Sequence, residues 1–436
     1  MRPAYFTICA RNYLAYALTL RNSVLQFSPQ ADFIIFLADA PLQEPVPDTH
    51  IIPIDALSLP NLKEMTFRFS LMELATAIKP TCFKHLLNEM GYEQAVYLDP
   101  DIQLFAPLSR VHSAFADGAS FVVTPHILAP LTDDKTPTDI DILRSGTFNL
   151  GFAAARKCDE TLTFLDWWED RLYHHGYNDL ERGLFVDQKF AEFAPSFLPK
   201  LRILHDPGYN VAYWNLSHRP LSQTTEGWQA GGAPLVFFHF SGVVPGDPGV
   251  FSKHQTRFSI QDLGAAAQLV TDYLGQLEHN NQAHWGRVPY AFDRFEDGTL
   301  IPPIIRRSPP DTASLALWWH AYDSAYWDAP SPRVDQEEAY KITRLMETIH
   351  QSRPDLRASF SLASRSGRRA FHAWFLENGE RECRAPRTSL EAALGRPFAG
   401  KGLQANGLVR MAAPLARILP APATRSLKSW LIRNSR

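Results

Sequence analysis

The chain has 436 residues, 45% of them apolar, with 43 Lys+Arg against 46 Asp+Glu and a formal net charge of −3. That length exceeds one average core, so two domains are expected, and no apolar run reaches the ~18 residues of a membrane-spanning helix. Four scattered cysteines, Cys9, Cys82, Cys158 and Cys383, include no Cys-x-x-Cys pair, which argues against a zinc ribbon or disulfide framework and for a reducing, cytoplasmic setting.

At the N-terminus, Arg11-Asn12 interrupts the apolar run before a signal-peptide core forms. Ala4–Cys9 reads as a first strand with a short polar exit, Ala10-Arg11-Asn12-Tyr13. Leu14, Leu18 and Val24-Leu25 then recur at helical spacing. Asp32–Leu37 is nearly all apolar, as a parallel strand covered on both faces should be. Strand, helix and strand make a βαβ unit, and ligands collect at the carboxyl ends of such strands. Asp39 sits at one such end, where it either faces a ligand or caps a turn before Pro41.

Phe69 to Met90 is helical in pattern and is interrupted at Lys79-Pro80. Gln94-Ala95-Val96-Tyr97-Leu98 is a buried strand that ends abruptly in Asp99-Pro100-Asp101. Two acids one residue apart on extended chain lie about two strand steps of ~3.3 Å from each other, and both can reach one hard divalent cation. Ser120–Thr124 is another strand, and Leu131 to Arg144 is a polar, mobile loop. Thr147–Ala155 is apolar except for Asn149, whose amide must be hydrogen-bonded or face a ligand. Leu162–Leu172 is a Trp-rich amphipathic helix, and Val186–Phe190 starts another in which Asp187 is placed for capping. Asp206–Asn210 is a turn. Leu235–Phe238 is a last core strand ending in His239-Phe240-Ser241-Gly242, where His239 is either a ligand or structural.

Past Arg257 the α/β rhythm fades. One helix is expected over 258–280 and a turn-rich segment over Tyr290–Pro303. Further helices are expected near Thr312–Tyr322, Gln336–Ser352 and Arg369–Glu377, with a short basic amphipathic end at Ser426–Arg433. From Arg353 to Arg436 there are 16 basic and 5 acidic residues, a net of +11, which leaves −14 on the rest. The domain expectation is therefore an α/β domain over 1–257, a helical and turn-rich extension over 258–352, and a basic tail over 353–436, partly helical or flexible.

Taken in order, the polar exit of the first strand, the acid after the second, Asp99-Pro100-Asp101, Phe148-Asn149-Leu150-Gly151, Asp187-Gln188 and His239-Phe240-Ser241-Gly242 resemble a GT-A-fold glycosyltransferase of the family-8-like, retaining type. The resemblance covers about residues 3 to 257. Asp293-Arg294-Phe295-Glu296-Asp297-Gly298 is similar to extensions of large bacterial glycosyltransferases of surface-polysaccharide pathways.

The resemblance implies an α/β fold with a mainly parallel central sheet flanked by helices and a mostly helical C-terminal extension. It implies a metal-dependent transferase that moves a sugar from a nucleotide-diphosphate donor, UDP-linked favoured, to a saccharide or lipid-linked acceptor. Asp99, Asp101 and His239 would bind Mn2+ or Mg2+, with the imidazole favouring Mn2+. Ala10, Asn12, Tyr13 and Asp39 would hold the base and ribose. Lys79 would reach the diphosphate or a nearby acid. Asn149, Asp187 and Gln188 would line the donor-sugar pocket and serve the chemistry, and Gly242 would admit the phosphates. One departure stands out. The family usually has a lysine a few residues after the His-x-x-Gly; here the first is Lys253, so Lys253 or Arg257 would substitute.

An Asp-X-Asp phosphatase is disfavoured, because that chemistry places the pair just after the first strand. The non-enzymatic alternative is a polyanion- or membrane-binding protein on a degenerate transferase body. The basic tail has few interleaved aromatics, so nucleic acid is not an expected partner. Peripheral contact with an anionic membrane, at its inner face, is.

Overall fold

The structure, a computed structural model, describes residues 3–307 and 320–395. Most of the expected Thr312–Tyr322 helix and all of Ser426–Arg433 lie outside the described residues. Among those described, no helix is long and apolar enough to cross a membrane.

The described residues divide into two compact units, one ending at Phe292 and the other beginning at Asp293. The first is built on a seven-stranded sheet. Its strands are β1 (Ala4–Cys9), β2 (Asp32–Leu37), β3 (His50–Pro53), β4 (Gln94–Leu98), β6 (Phe121–Pro125), β7 (Phe148–Arg156) and an edge strand, Leu201–Ile203; β5 (Ile102–Leu104) lies outside this sheet. From edge to edge the order is Leu201–Ile203, β6, β7, β4, β1, β2, β3. All neighbours are parallel except β7, which runs antiparallel to β4 and β6. This is the mixed, mainly parallel α/β class that the alternation of strands and helices predicts.

Every residue of β1 is buried, which accounts for its unbroken apolar run. Apolar clusters lie on both faces. Phe6, Ile34, Phe36, Phe83, Tyr97, Phe121 and Trp168 belong to one, and Tyr5, Ile35, Val96, Leu98, Val122 and Phe237 to the other. Each fully buried Phe or Leu contributes about 1.5–3 kcal/mol, so both layers are needed to hold the sheet.

The pattern over Phe69–Met90 resolves into helices Leu71–Ala77 and Lys79–Lys84, with Pro80 in the first turn of the second, where its missing N–H costs nothing. Four expectations are corrected. The polar loop expected over 131–144 contains a helix, Asp139–Ser145, because Thr138 and Asp141 exchange side-chain-to-backbone hydrogen bonds in a capping box. Leu235–Phe238 does not enter the central sheet. Phe237–His239 instead pairs antiparallel with β5 in a separate ribbon. The helix expected over 258–280 is broken at Gly264, so only Ala267–His279 is α-helical. That helix packs Leu269, Val270 and Tyr273 against Phe238 and Phe240, which places residues 258–292 in the first unit rather than in an extension.

In the second unit the helix expected from Gln336 begins only at Arg344. The Gln336 side chain satisfies the Ser331, Val334 and Ile342 backbone instead, which fixes the preceding segment as a loop. Helix Arg365–Cys383 spans the expected Arg369–Glu377 and buries Phe371 and Phe375.

Candidate functional site

The two acids and the distant histidine meet through backbone pairing. After β4, Asp99 N–H donates to Gly151 O at 2.7 Å, and the chain turns so that Ile102 N–H returns to Asp99 O at 3.1 Å. Strand β5 then pairs with Phe237–His239 in the register Ile102 to His239, and Phe240 N–H donates to Asp101 O at 2.8 Å. His239 Nε2 consequently lies 3.0 Å from Asp101 Oδ1 and 3.6 Å from Asp99 Oδ2. One donor atom from each of the three residues falls within 4.8 Å of the others. Gly151 is required beside them, since a β-carbon there would lie 2.8 Å from His239 Nδ1.

Burial alone would lower the His239 pKa, but the Asp101 and Asp99 carboxylates outweigh it and raise it. Burial raises the Asp99 carboxyl, helped by Asp101, against the pull of Lys79 and His239. Tyr97 Oη donates to Asp99 Oδ1 at 2.5 Å. Tyr13 is pushed up to about 12 by burial and by the Asp101 and Asp99 charges, and Tyr213 to about 12 by burial and Asp101. Tyrosines thus enclose a concentrated negative charge that favours a cation.

The protonation pattern of the site follows from one backbone donor. Gly151 N–H donates to Asn149 Oδ1 at 3.1 Å, which fixes that atom as oxygen. Asn210 Nδ2 therefore donates to Asn149 Oδ1 at 3.0 Å, and also to Thr124 Oγ1 at 2.9 Å. Its Oδ1 then faces His239 Nδ1 at 3.3 Å and must accept from it. With its proton on Nδ1, His239 points the Nε2 lone pair at two carboxylates. Two acceptors 3.0 Å apart need a cation between them, either a proton or a metal ion. An imidazole and two carboxylates suit Mn2+ better than Mg2+, which prefers an all-oxygen set.

The same reasoning makes Asn149 Nδ2 a donor to His126 Nε2 at 3.0 Å. His126 is buried, and burial lowers its pKa to about 4. Its folded-state pKa lies below the ordinary histidine value, so the unfolded chain binds protons more readily. The stability it contributes is fully present above pH ~6.5 and is lost as pH falls towards 4, amounting to up to about 3 kcal/mol. Urea midpoints at pH 7 and pH 4.5 are expected to diverge more in the wild type than in His126→Gln.

The remaining predicted residues fall as follows. Lys79 is buried and forms an ion pair with buried Asp187, donates to Leu150 O at 2.8 Å and lies 4.1 Å from the Tyr97 ring centroid. It therefore reaches a nearby acid. Asp187 does not cap its helix, Val186–Ala191, since Lys79 takes its carboxylate. Gln188 Oε1 accepts from Leu150 N at 3.0 Å, and its Nε2 donates to Ser145 O at 3.1 Å, so the amide is fixed beside Asn149. Gly242 has φ of 80° and a backbone bond from Lys253 N–H to its carbonyl at 3.0 Å. The Lys253 side chain is exposed. Arg257 is not free for phosphate: its guanidinium holds both Asp133 oxygens at 2.8 Å and the Lys135 and Pro137 carbonyls.

Asp39 is also committed. Its Oδ1 accepts from Ala40 N at 2.7 Å and Ala291 N at 3.0 Å, and its Oδ2 from Arg11 N at 3.1 Å, with Arg11 Nε also at 3.1 Å. Three backbone N–H groups and the Arg11 ion pair occupy the carboxylate, so Asp39 holds the polar exit in shape. Beside it, the buried Asn12 Oδ1 has no hydrogen-bond partner among the described residues, and the Tyr13 ring stacks on Tyr16.

Sequence reasoning missed His126, Asn210 and Trp214, whose ring lies edge-on 5.1 Å from that of His239. His126 follows a strand end, as His239 does, and the same rule would have found it. Asn210 has φ of 54° at the end of a turn, and no pattern in the sequence marks it.

No family model matches the chain. Two uncharacterised proteins of Bacillus subtilis (strain 168) are similar to it in sequence. YfnF is 26% identical over 263 residues, 56% of this chain and 82% of its own. YfnD is 23% identical over 324 residues, 72% of this chain and 98% of its own. Among solved structures, the galactosyltransferase LgtC with donor and acceptor sugar analogues aligns over 64% of this chain and 99% of its own, at 13% identity and a TM-score of 0.37. The glycosyltransferase GlyE of Streptococcus pneumoniae TIGR4 aligns over 68% of this chain and 67% of its own, at 12% identity and a TM-score of 0.37.

Proposed function

We propose that the chain is a metal-dependent, GT-A-type glycosyltransferase that takes its sugar from a nucleotide diphosphate, UDP-linked by preference. The convergence of Asp99, Asp101 and His239 on one cation position carries this reading. Asp99 and Asp101 would hold Mn2+ through oxygen and His239 through Nε2. An ion held there would supply charge neutralisation to the leaving diphosphate.

The protein's own groups do the rest. Asn12, with Ala10 and Tyr13, meets the base and ribose, while Asp39 keeps that exit in shape through Arg11. Gly242 lets the phosphates approach closely, and Lys253, anchored through its backbone to Gly242, supplies the phosphate contact that Arg257 does not. Asn149, Asp187 and Gln188 line the donor-sugar pocket. The acceptor hydroxyl attacks from the face the nucleotide leaves, a phosphate oxygen takes its proton, and Gln188 or Asp187 stabilises the oxocarbenium-like carbon, so configuration is retained. The Lys79–Asp187 pair and the Gln188 anchors keep those groups from reorganising during transfer.

A panel of nucleotide sugars assayed for hydrolysis or transfer with Mn2+, Mg2+ or chelator tests the proposal. Turnover of at least one donor that requires a divalent ion is expected, and metal-independent or absent turnover across the panel sinks it. The acceptor is a saccharide or lipid-linked glycan of a bacterial surface-polysaccharide pathway, which the basic tail would meet at an anionic membrane. Truncation near residue 410 is expected to weaken co-sedimentation with anionic liposomes; unchanged binding removes the membrane role.

A further inference from the structure

Three buried amides and imidazoles link the sugar-facing side of the site to its cation side. Asn210 is wholly buried, adopts φ of 54°, and spends both amide hydrogens on Thr124 Oγ1 and Asn149 Oδ1. Its carbonyl oxygen is left for His239 Nδ1 alone. The backbone places it there: Val211 N–H donates to Phe237 O at 3.2 Å and His239 N–H to Val211 O at 2.8 Å, so Asn210 and His239 sit side by side. The Asn215 side chain pins this corner from the other side, bonding Asn210 O and His126 O, each at 2.9 Å.

We propose that Asn210 is a positioning residue that selects the Nδ1–H tautomer of His239 and aims its Nε2 lone pair into the space between Asp99 and Asp101. The inference rests on the metal reading of that space and adds to it a residue that does not touch the ion. With the other tautomer, Nε2 would present a hydrogen to the cation, and His239 could not ligate. Through Asn149 the same amide chain ties the orientation of the metal ligand to the donor-sugar pocket.

Two substitutions separate positioning from mere filling. Glycine and aspartate both tolerate the left-handed backbone at this position. Asn210→Gly removes the acceptor, whereas Asn210→Asp, kept as the neutral acid by burial, retains an acceptor for His239 Nδ1–H and one hydrogen for Asn149 Oδ1. Thr124→Val is a control that loses a buried hydrogen bond to the same amide but leaves His239 alone. The probe is Mn2+ alone, followed by loss of the free-ion electron paramagnetic resonance signal, with thermal unfolding of each metal-free variant recorded alongside. Wild type is expected to bind saturably and Asp99→Ala not to. Asn210→Gly should weaken binding about 10- to 100-fold, with Asn210→Asp and Thr124→Val staying within about threefold of wild type. Binding by Asn210→Gly equal to wild type overturns the inference and leaves the metal reading standing. Absence of saturable binding in wild type overturns both. A measurement on the wild-type fold guards against a variant that does not fold: 15N spectra of the His239 ring in alkaline buffer, assigned through His239→Gln, should show the proton on Nδ1. A proton on Nε2 overturns the inference.

Discussion

Asp101→Asn is expected to lower metal-dependent turnover by roughly 100- to 1000-fold, about 3–4 kcal/mol of transition-state stabilisation, while the protein still folds. The substitution keeps the shape of the side chain and the backbone bond from Phe240 N–H to Asp101 O, so the ribbon that carries His239 survives. It removes one of the two carboxylates proposed as ligands, the one nearest His239 Nε2. The loss should appear in two further places. Mn2+ should no longer raise the thermal midpoint, since only an ion that binds the folded state stabilises it. The metal-free midpoint should stay close to wild type, because the side chain is partly exposed and an amide there can donate to His239 Nε2 in place of the ion pair. If Asp101→Asn turns over like the wild type, the cation site is elsewhere or absent, and the transferase reading loses its main support.

The parts of this site that were legible in the sequence are those where an apolar run stops at a polar residue. Gln94–Leu98 ending in Asp99-Pro100-Asp101 and Phe237-Phe238 ending in His239 both read as strand ends because burial on both faces leaves no other place for such runs. That these two ends touch was implied by the family resemblance alone; no pattern in the residues shows it. The contact depends on β5, three residues long, pairing with three more, and a three-residue strand has no period to detect. Asn149 was legible as an amide that needed partners. Those partners, His126, Gln188 and Asn210, come from three separate segments. The helix Asp139–Ser145 was missed because two of its three apolar residues, Ile140 and Leu143, face outward and only Ile142 is buried, so the stretch shows no apolar period. Its only signal was Thr138 with Asp141 three residues on.

Asp187 was misread for a related reason: an acid at a helix start normally caps it, and only the tertiary fold supplies Lys79. Lys79→Met is expected to destabilise the protein by about 3–5 kcal/mol at neutral pH, because it strands a buried carboxylate. Burial already raises the Asp187 pKa, with Lys79 holding it down. Without the lysine it rises further. An acid whose folded-state pKa is raised costs stability above that pKa and recovers it as pH falls through it. The deficit of Lys79→Met should therefore be greatest near pH 8 and shrink towards pH 5, opposite in direction to the His126 effect. The double variant Lys79→Met/Asp187→Leu should recover most of the loss, since an apolar pair can replace a buried ion pair at little cost. It should remain about 1–3 kcal/mol below wild type, because Leu150 O loses its donor at 2.8 Å. Urea unfolding of the four proteins of the cycle measures the coupling. A single-variant loss below about 1 kcal/mol would mean that water reaches Asp187 once the lysine is gone, and that the pair is not the rigid wall proposed for the donor pocket.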